Sequence, residues 1–284
     1  MNVLSRKDQL TVLNLLVEGN SLRSITRLTG IHRTTIMNLM VRVGNQCRDM
    51  LDRWMRNLTL RHVELDELWT FVLKKQGRVP VGSDDVSIGD QYVFLAIDQD
   101  TKIVPSFAIG KRTKRTTDLF IEDLASRLVL PDLFGSGSRP QLSTDGWAAY
   151  PDSIEMAFAG RCEHGVLIKN YRNAEMPGRY GPPELIDTRR EVISGNIDEL
   201  DICTSHCERM NLSIRTFLKR FTRLALGFSK KLDNLAACFS LFIAHYNFCR
   251  WHGSLKKTPA MAAKITGHPW TMEELLNTAD ALRE

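Results

Sequence analysis

Apolar positions in the first sixty residues recur at helical spacing. Leu10, Leu13, Leu16 and Val17 form one stripe, which Glu18-Gly19-Asn20 ends. Ser21 then offers an N-cap, and Leu22, Ile25 and Leu28 line a second helix. Gly30 stands where a tight turn needs a residue free to adopt positive φ. A third helix is predicted from about His32, with Ile36, Leu39, Met40 and Val43 inward. Residues 44–60, carrying Leu51, Trp54, Met55 and Leu58, read as a connecting helix. From His62 the period changes to two, and "HVELDELWTFVL" predicts a strand rich in Val, Leu, Trp and Phe.

Further strands are predicted at "QYVFLAID" and "KIVPSFAIG", joined by a turn at 98–102. A helix over 116–128, a short strand "PQLSTD", a helix over 146–158 and a strand "GVLIKNY" follow. A long amphipathic helix is then expected in "SHCERMNLSIRTFLKRFTRLA", with Ile214, Phe217, Leu218, Phe221 and Leu224 on its inner side. Three strands, helix, strand, helix, strand and helix is the order of a ribonuclease H-like α/β fold. Residues 174–201, with Pro177, Gly178, Gly181, Pro182 and Pro183, interrupt that order and read as an inserted loop with at most a short hairpin. The expected division is a helix-turn-helix domain at 1–45, a connecting helix at 46–61, a ribonuclease H-like domain at 62–250 and an extension at 251–284.

Charge changes this picture more than composition does. The chain of 284 residues carries +5 overall, but residues 1–62 hold ten Lys/Arg against four acids. A basic all-α head on a near-neutral body suits a polyanion partner. In a helix-turn-helix, the second helix of the pair enters the major groove. That places His32, Arg33, Thr34, Thr35 and Asn38 toward double-stranded DNA. Six cysteines in this length are too sparse for a disulfide framework and are expected as free thiols. No secretory leader or spanning segment is legible, so a cytoplasmic protein without membrane contact is expected.

Three carboxylates stand out. Asp66 falls inside an apolar strand, where an unpaired charge is costly. Asp145 ends the fourth strand, next to Gly146, and the first and fourth strands of a ribonuclease H-like sheet are neighbours. Glu208 is the only acid among seven Lys/Arg over 204–231, with Asn211, Arg215 and Lys219 near its azimuth. Converging acids repel without divalent cations. Two Mg²⁺ (or Mn²⁺) ions about 3.5–4 Å apart would neutralise them and clamp an in-line phosphoryl displacement.

The blocks "DELW", "GKRT", "TDGWAAY", "ERMNLSIR" and "GFSKK" occur in this order, and with them the chain from about Glu64 onward resembles DDE transposases of the insertion-sequence-one family. The resemblance implies cleavage and strand joining at an element's inverted ends and insertion into target DNA. It also implies Asp66, Asp145 and Glu208 as the metal-binding triad, with Asn211 and Arg215 positioning the triad or the DNA backbone. A homo-oligomer, dimer or higher, is expected because paired ends must meet, in a bacterial cytoplasm at the nucleoid. The segment "YNFCRWHGSLKKTPAMAAKITGHPW" resembles longer relatives only.

Weaker signals leave choices open. Cys162-x-His164 and Cys203-x-x-His206-Cys207 match no common zinc spacing; the two histidines are read as phosphate contacts or as structure. Trp69 and Trp147 either stack on unpaired bases or pack. Lys111, Arg112, Lys114 and Arg115 either touch phosphate or form a solvated loop. The rival functions are a helix-turn-helix regulator and a ribonuclease H-like nuclease without strand joining.

Overall fold

The computed structural model describes residues 4–282 except 84, 133–136, 173–183 and 224. Three helices open the chain: α1 (Arg6–Val17), α2 (Leu22–Thr29) and α3 (Arg33–Trp54). Ser5 and Ser21 cap the first two through their side chains, accepting from the N–H groups of Asp8 and Ser24. Gly30 ends α2 at φ 74°, in the left-handed region where a side chain is disfavoured. His32 caps α3 by accepting from the Thr34 N–H at 3.3 Å.

The sheet is built from β1 (His62–Val72), β2 (Gly89–Asp98), β3 (Phe107–Gly110), β4 (Gln141–Asp145), β5 (Glu163–Arg172) and β6 (Glu184–Ser194). Between them lie α4 (Lys114–Arg127) and α5 (Tyr150–Phe158). The strand order is β3-β2-β1-β4-β5-β6. β1 pairs antiparallel with β2 and parallel with β4, so the first and fourth strands are neighbours. After β6 come α6 (Ser205–Phe217), α7 (Leu232–Phe248), α8 (Pro259–Ala262) and α9 (Met272–Ala281).

Three expectations are corrected. The boundary at 45/46 falls inside one continuous helix. Nothing between Val43 and Leu51 breaks it, and Gly44 is its contact with α7: a Cβ there would lie 2.0 Å from the Ala237 carbonyl oxygen. Second, residues 184–194 are a strand rather than loop. β6 lies at the sheet edge with most side chains exposed, so it shows no apolar alternation; it is held by pairing along β5 from His164 to Arg172. The remaining loop positions, 174–183 with Pro177, Gly178, Gly181, Pro182 and Pro183, lie outside the described residues, as does residue 224. Third, the helix bearing Glu208 stops at Phe217. Leu218 and Phe221 are buried, and seating them turns the chain through a 3₁₀ turn at Lys219–Phe221. Phe221 there meets Phe239 of α7 at 5.6 Å.

The hydrophobic core is continuous from Val12 to Ala279. Trp54, Phe248 and Trp270 pack as one aromatic cluster with centroids 4.4–5.8 Å apart. Asp280 of α9 accepts from Arg6, Arg42 and Gln46. The segment expected as a separate extension is therefore folded back onto the amino-terminal helices. All six cysteines are free. Among the described residues no helix is long and apolar enough to cross a membrane.

Candidate active site

Alternation along β1 puts Glu64 and Asp66 on one face and Leu65 and Glu67 on the other. Glu64, fully buried, accepts from the backbone N–H groups of His206 at 2.7 Å and Cys207 at 2.9 Å. Its other oxygen lies 2.7 Å from Nδ1 of His206. These two N–H groups belong to the first turn of α6, whose N-cap residue Thr204 makes no side-chain cap. A strand carboxylate thus caps the helix, with charge-assisted hydrogen bonds at the positive end of its dipole. It fixes where α6 begins, and hence where Glu208 and Asn211 stand over the sheet.

Asp66 accepts from Asn211 Nδ2 at 2.7 Å and from the Glu67 N–H at 2.7 Å. Burial, and then the nearby charge of Asp145, push its carboxyl up to about 6; the Glu67 N–H, Lys169 and Asn211 act against them. Asp145 accepts from the Trp147 N–H at 2.9 Å, and its other oxygen is 3.6 Å from Arg112. Glu208 is paired by Lys169 of β5 and accepts from the Thr204 hydroxyl at 3.4 Å. Lys169 therefore stands between the acid of α6 and the two at the sheet.

Glu67, on the opposite face, is ion-paired with Arg112 at 2.9 Å. Burial, and then Asp145, push it up to about 7, against Tyr150 and Arg112. Its Oε1 and the Tyr150 hydroxyl are both buried without an ordinary hydrogen-bond partner, so Tyr150 acts on Glu67 through proximity rather than a made bond. Arg112 bridges Glu67 to Asp145 and stacks 4.2 Å over the Trp147 ring. Trp147 in turn donates Nε1–H to Thr117 at 3.1 Å.

Among the described residues no group of three or more His, Cys, Asp or Glu side chains is arranged to hold a metal ion. The donor chemistry at Asp66 and Asp145 nevertheless fits a hard divalent cation. The charge of Asp145 helps raise the proton affinity of Asp66 there, and oxygen ligands of that kind suit Mg²⁺ or Mn²⁺. Glu208 is not part of that pair; it is engaged by Lys169.

The other expected residues divide sharply. Arg33, Thr34, Thr35 and Asn38 are all exposed at the start of α3. Arg215 is not: it donates to the carbonyls of Phe221 at 3.1 Å and Trp69 at 3.3 Å, and burial lowers it to about 10. Its guanidinium staples α6 to β1 and the following turn, which takes it off the surface expected to meet DNA. Lys219 is exposed but lies beyond the end of α6, off the azimuth of Glu208. His164, read as a possible phosphate contact, is buried against Thr144 at 3.0 Å, and burial lowers it to about 4. In the basic run, Lys111 is engaged by carbonyls of residues 88 and 90 and Lys114 by Asp118 at 2.8 Å. Glu64, Glu67 and Lys169 escaped the sequence reading. Their only signal is acids on both sides of Asp66 in an apolar strand, and one lysine in "GVLIKNY".

No family model matches the chain, and no curated protein matches it. Among solved structures it is similar to the Mos1 strand transfer complex at 16% identity, over 56% of this chain and 57% of that one, with a TM-score of 0.23. A Mos1 mariner paired end complex with Mn is similar at 14% identity, over 58% and 60%, with a TM-score of 0.23. A piggyBac transposase synaptic complex with hairpin DNA is similar at 11% identity, over 99% and 73%, with a TM-score of 0.38. The chain thus spans little more than half the length of the Mos1 chains. TM-scores at this level fix neither fold nor activity.

Proposed function

We propose that this chain is a DDE transposase with a ribonuclease H-like catalytic core, cleaving and joining DNA strands at the inverted ends of an insertion sequence. The observation that carries the reading is the pair Asp66 and Asp145 at neighbouring strands, where the charge of Asp145 adds to burial in raising Asp66, with α6 pinned over them by Glu64. Asp66, Asp145 and Glu208 would hold two Mg²⁺ or Mn²⁺ ions. When bound, such ions activate an oxygen nucleophile and stabilise the leaving oxygen of an in-line displacement. Asn211 orients Asp66, Arg112 orients Asp145, and Lys169 holds Glu208 until the acids are neutralised from elsewhere. Arg33, Thr34, Thr35 and Asn38 would meet the duplex at the ends, and a dimer or larger assembly would bring two ends together.

The test is a strand-transfer assay with Mg²⁺ and the DNA flanking the gene as substrate. Joined product is expected, and Asp145→Asn should abolish both cleavage and joining while duplex binding persists. Cleavage without joining would leave a nuclease, and binding without chemistry would leave a regulator; either outcome overturns the proposal.

A further inference from the structure

The flank of α6 turned away from the carboxylates carries a second, unassigned feature. At about 100° per residue, His206, Arg209 and Ser213 share a side of the helix that Glu208 and Asn211 do not. That side opens on a cleft of about 480 Å³ between α6 and the segment following α7. Lys102, His206, Arg209, Arg250 and His252 line it, together with Trp251.

Three properties of the cleft decide its ligand. It is cationic: among the described residues Lys102, Arg209 and Arg250 make no ion pair, although Lys102 Nζ donates to the Gln99 carbonyl and Arg250 lies 3.7 Å over the Phe217 ring. Three carboxylates act on Lys102 without pairing with it: Glu64 caps α6, Asp98 accepts through one oxygen from the N–H and hydroxyl of Thr101 at 2.7 Å, and Asp100 lies 3.5 Å from His62. The cations also crowd one another. Burial, and then the charges of Lys102, Arg250, His206 and Arg209, hold the His252 imidazole below its ordinary pKa. Finally, Trp251 is 55% exposed, and among the described residues its indole has no ring partner.

A concave cluster of cations without ion-pair partners selects a polyanion, and an indole without a ring partner inside it adds a flat apolar platform. Bases already stacked in a duplex cannot use that platform; bases of an unpaired strand can. We infer that the cleft lined by Lys102, Arg209, Arg250 and Trp251 binds an unpaired DNA strand, its phosphates on the cations and a base on the Trp251 indole. This rests on the proposed function, since it supposes that DNA is processed across α6. It gives the segment after α7 a role: the flanking strand is held on one side of the helix while the acids face its other side.

The experiment is fluorescence anisotropy of the full chain, in EDTA, with labelled oligothymidylate and with a blunt duplex of equal length. Trp251→Ala should weaken oligothymidylate binding about tenfold or more, as loss of one base–aromatic stack does, and leave the duplex unaffected. Trp251→Phe should recover most of that loss. Arg209→Gln should lower the salt slope for the single strand by about 0.7, the value of one phosphate contact. Unchanged affinity and slope in all three variants, with duplex binding and cleavage intact in the parent, would sink the cleft assignment and leave the transposase reading standing. A parent chain that binds neither DNA sinks both. Equal competition by polyglutamate, indifferent to Trp251, would reassign the cleft to acidic peptides and overturn the inference.

Discussion

Asp66 makes the cation-free protein pay a penalty that depends on pH in an unusual direction. Its carboxyl is raised from 3.8 to about 6 in the folded chain, by burial first and by Asp145 second. A raised acid binds its proton more tightly folded than unfolded. Below about pH 4 the group is neutral in both states and contributes nothing. Between about 4 and 6 the unfolded chain ionises first, so stability falls as pH rises, and above about 6 the full penalty is present. At 1.36 kcal/mol per unit, a shift of roughly two units amounts to about 3 kcal/mol. Replacing Asp66 by Asn removes the charge and keeps one of the two accepting oxygens, so one of the bonds from Asn211 and the Glu67 N–H is lost and about 3 kcal/mol is an upper bound on the gain.

The measurement is urea unfolding of parent and Asp66→Asn with a chelator present, at pH values from 4.5 to 7.5. A difference between the two proteins is required, because His164 and His245, both lowered to about 4 by burial, lose stability over the same range as pH falls. Asp66→Asn is expected to be the more stable protein at pH 7.5, by up to about 3 kcal/mol, with the gap closing toward pH 4.5. Millimolar Mg²⁺ should narrow the gap at pH 7.5 by stabilising the parent alone. A gap independent of pH, or a less stable variant at pH 7.5, would refute the account of the carboxylate pair.

Glu64→Gln removes the charge that caps α6, while its amide oxygen can keep both N–H groups and its nitrogen turns to His206 Nδ1, so a loss of about 1–2 kcal/mol is expected. Hydrogen exchange at His206 and Cys207 checks it, and unchanged protection there would contradict the capping role. Gly44→Ala sets a methyl against the Ala237 carbonyl across the α3–α7 contact, so it should destabilise by about 3 kcal/mol or more; an unchanged melting temperature would show that these helices can part freely. Arg33→Ala should weaken duplex binding and reduce its salt slope by about one, whereas an unaltered slope would move DNA recognition away from the start of α3.

What could be read from the chain, and what could not, follows the range of the interactions involved. The stripe of α1, the cap at Ser21 and the turn at Gly30 are local, and they appear where the periodicity puts them; in α2 only Ile25 is buried, and Leu28, read as part of its inner stripe, is exposed. The neighbouring of β1 and β4 followed from element order alone. The misplaced boundaries each depend on a distant partner. Gly44 reads as a weak point in a helix until Ala237 is known to press against it. The end of α6 is set by the burial of Leu218 and Phe221, which no periodicity announces. β6 is an edge strand with its side chains in water, so its only structural signal is the backbone of β5.

The same logic separates the three acids of β1. In "VELDELW" each carboxylate sits in an apolar strand, and cost alone gives no reason to prefer one over another. The partners make the distinction. Glu64 is fully satisfied by two N–H groups and an imidazole from α6, a stretch 142 residues away, and so it serves structure. Glu67 meets the repulsion of Asp145 as well, and one of its oxygens lacks a partner, but it is ion-paired with Arg112 on the far face. Asp66 meets the repulsion of Asp145 without an ion pair of its own among the described residues, and its single side-chain donor is Asn211. A carboxylate left with surplus negative charge beside another, in a fold that has supplied partners to both of its neighbours, is where a cation from outside the chain gains most by binding.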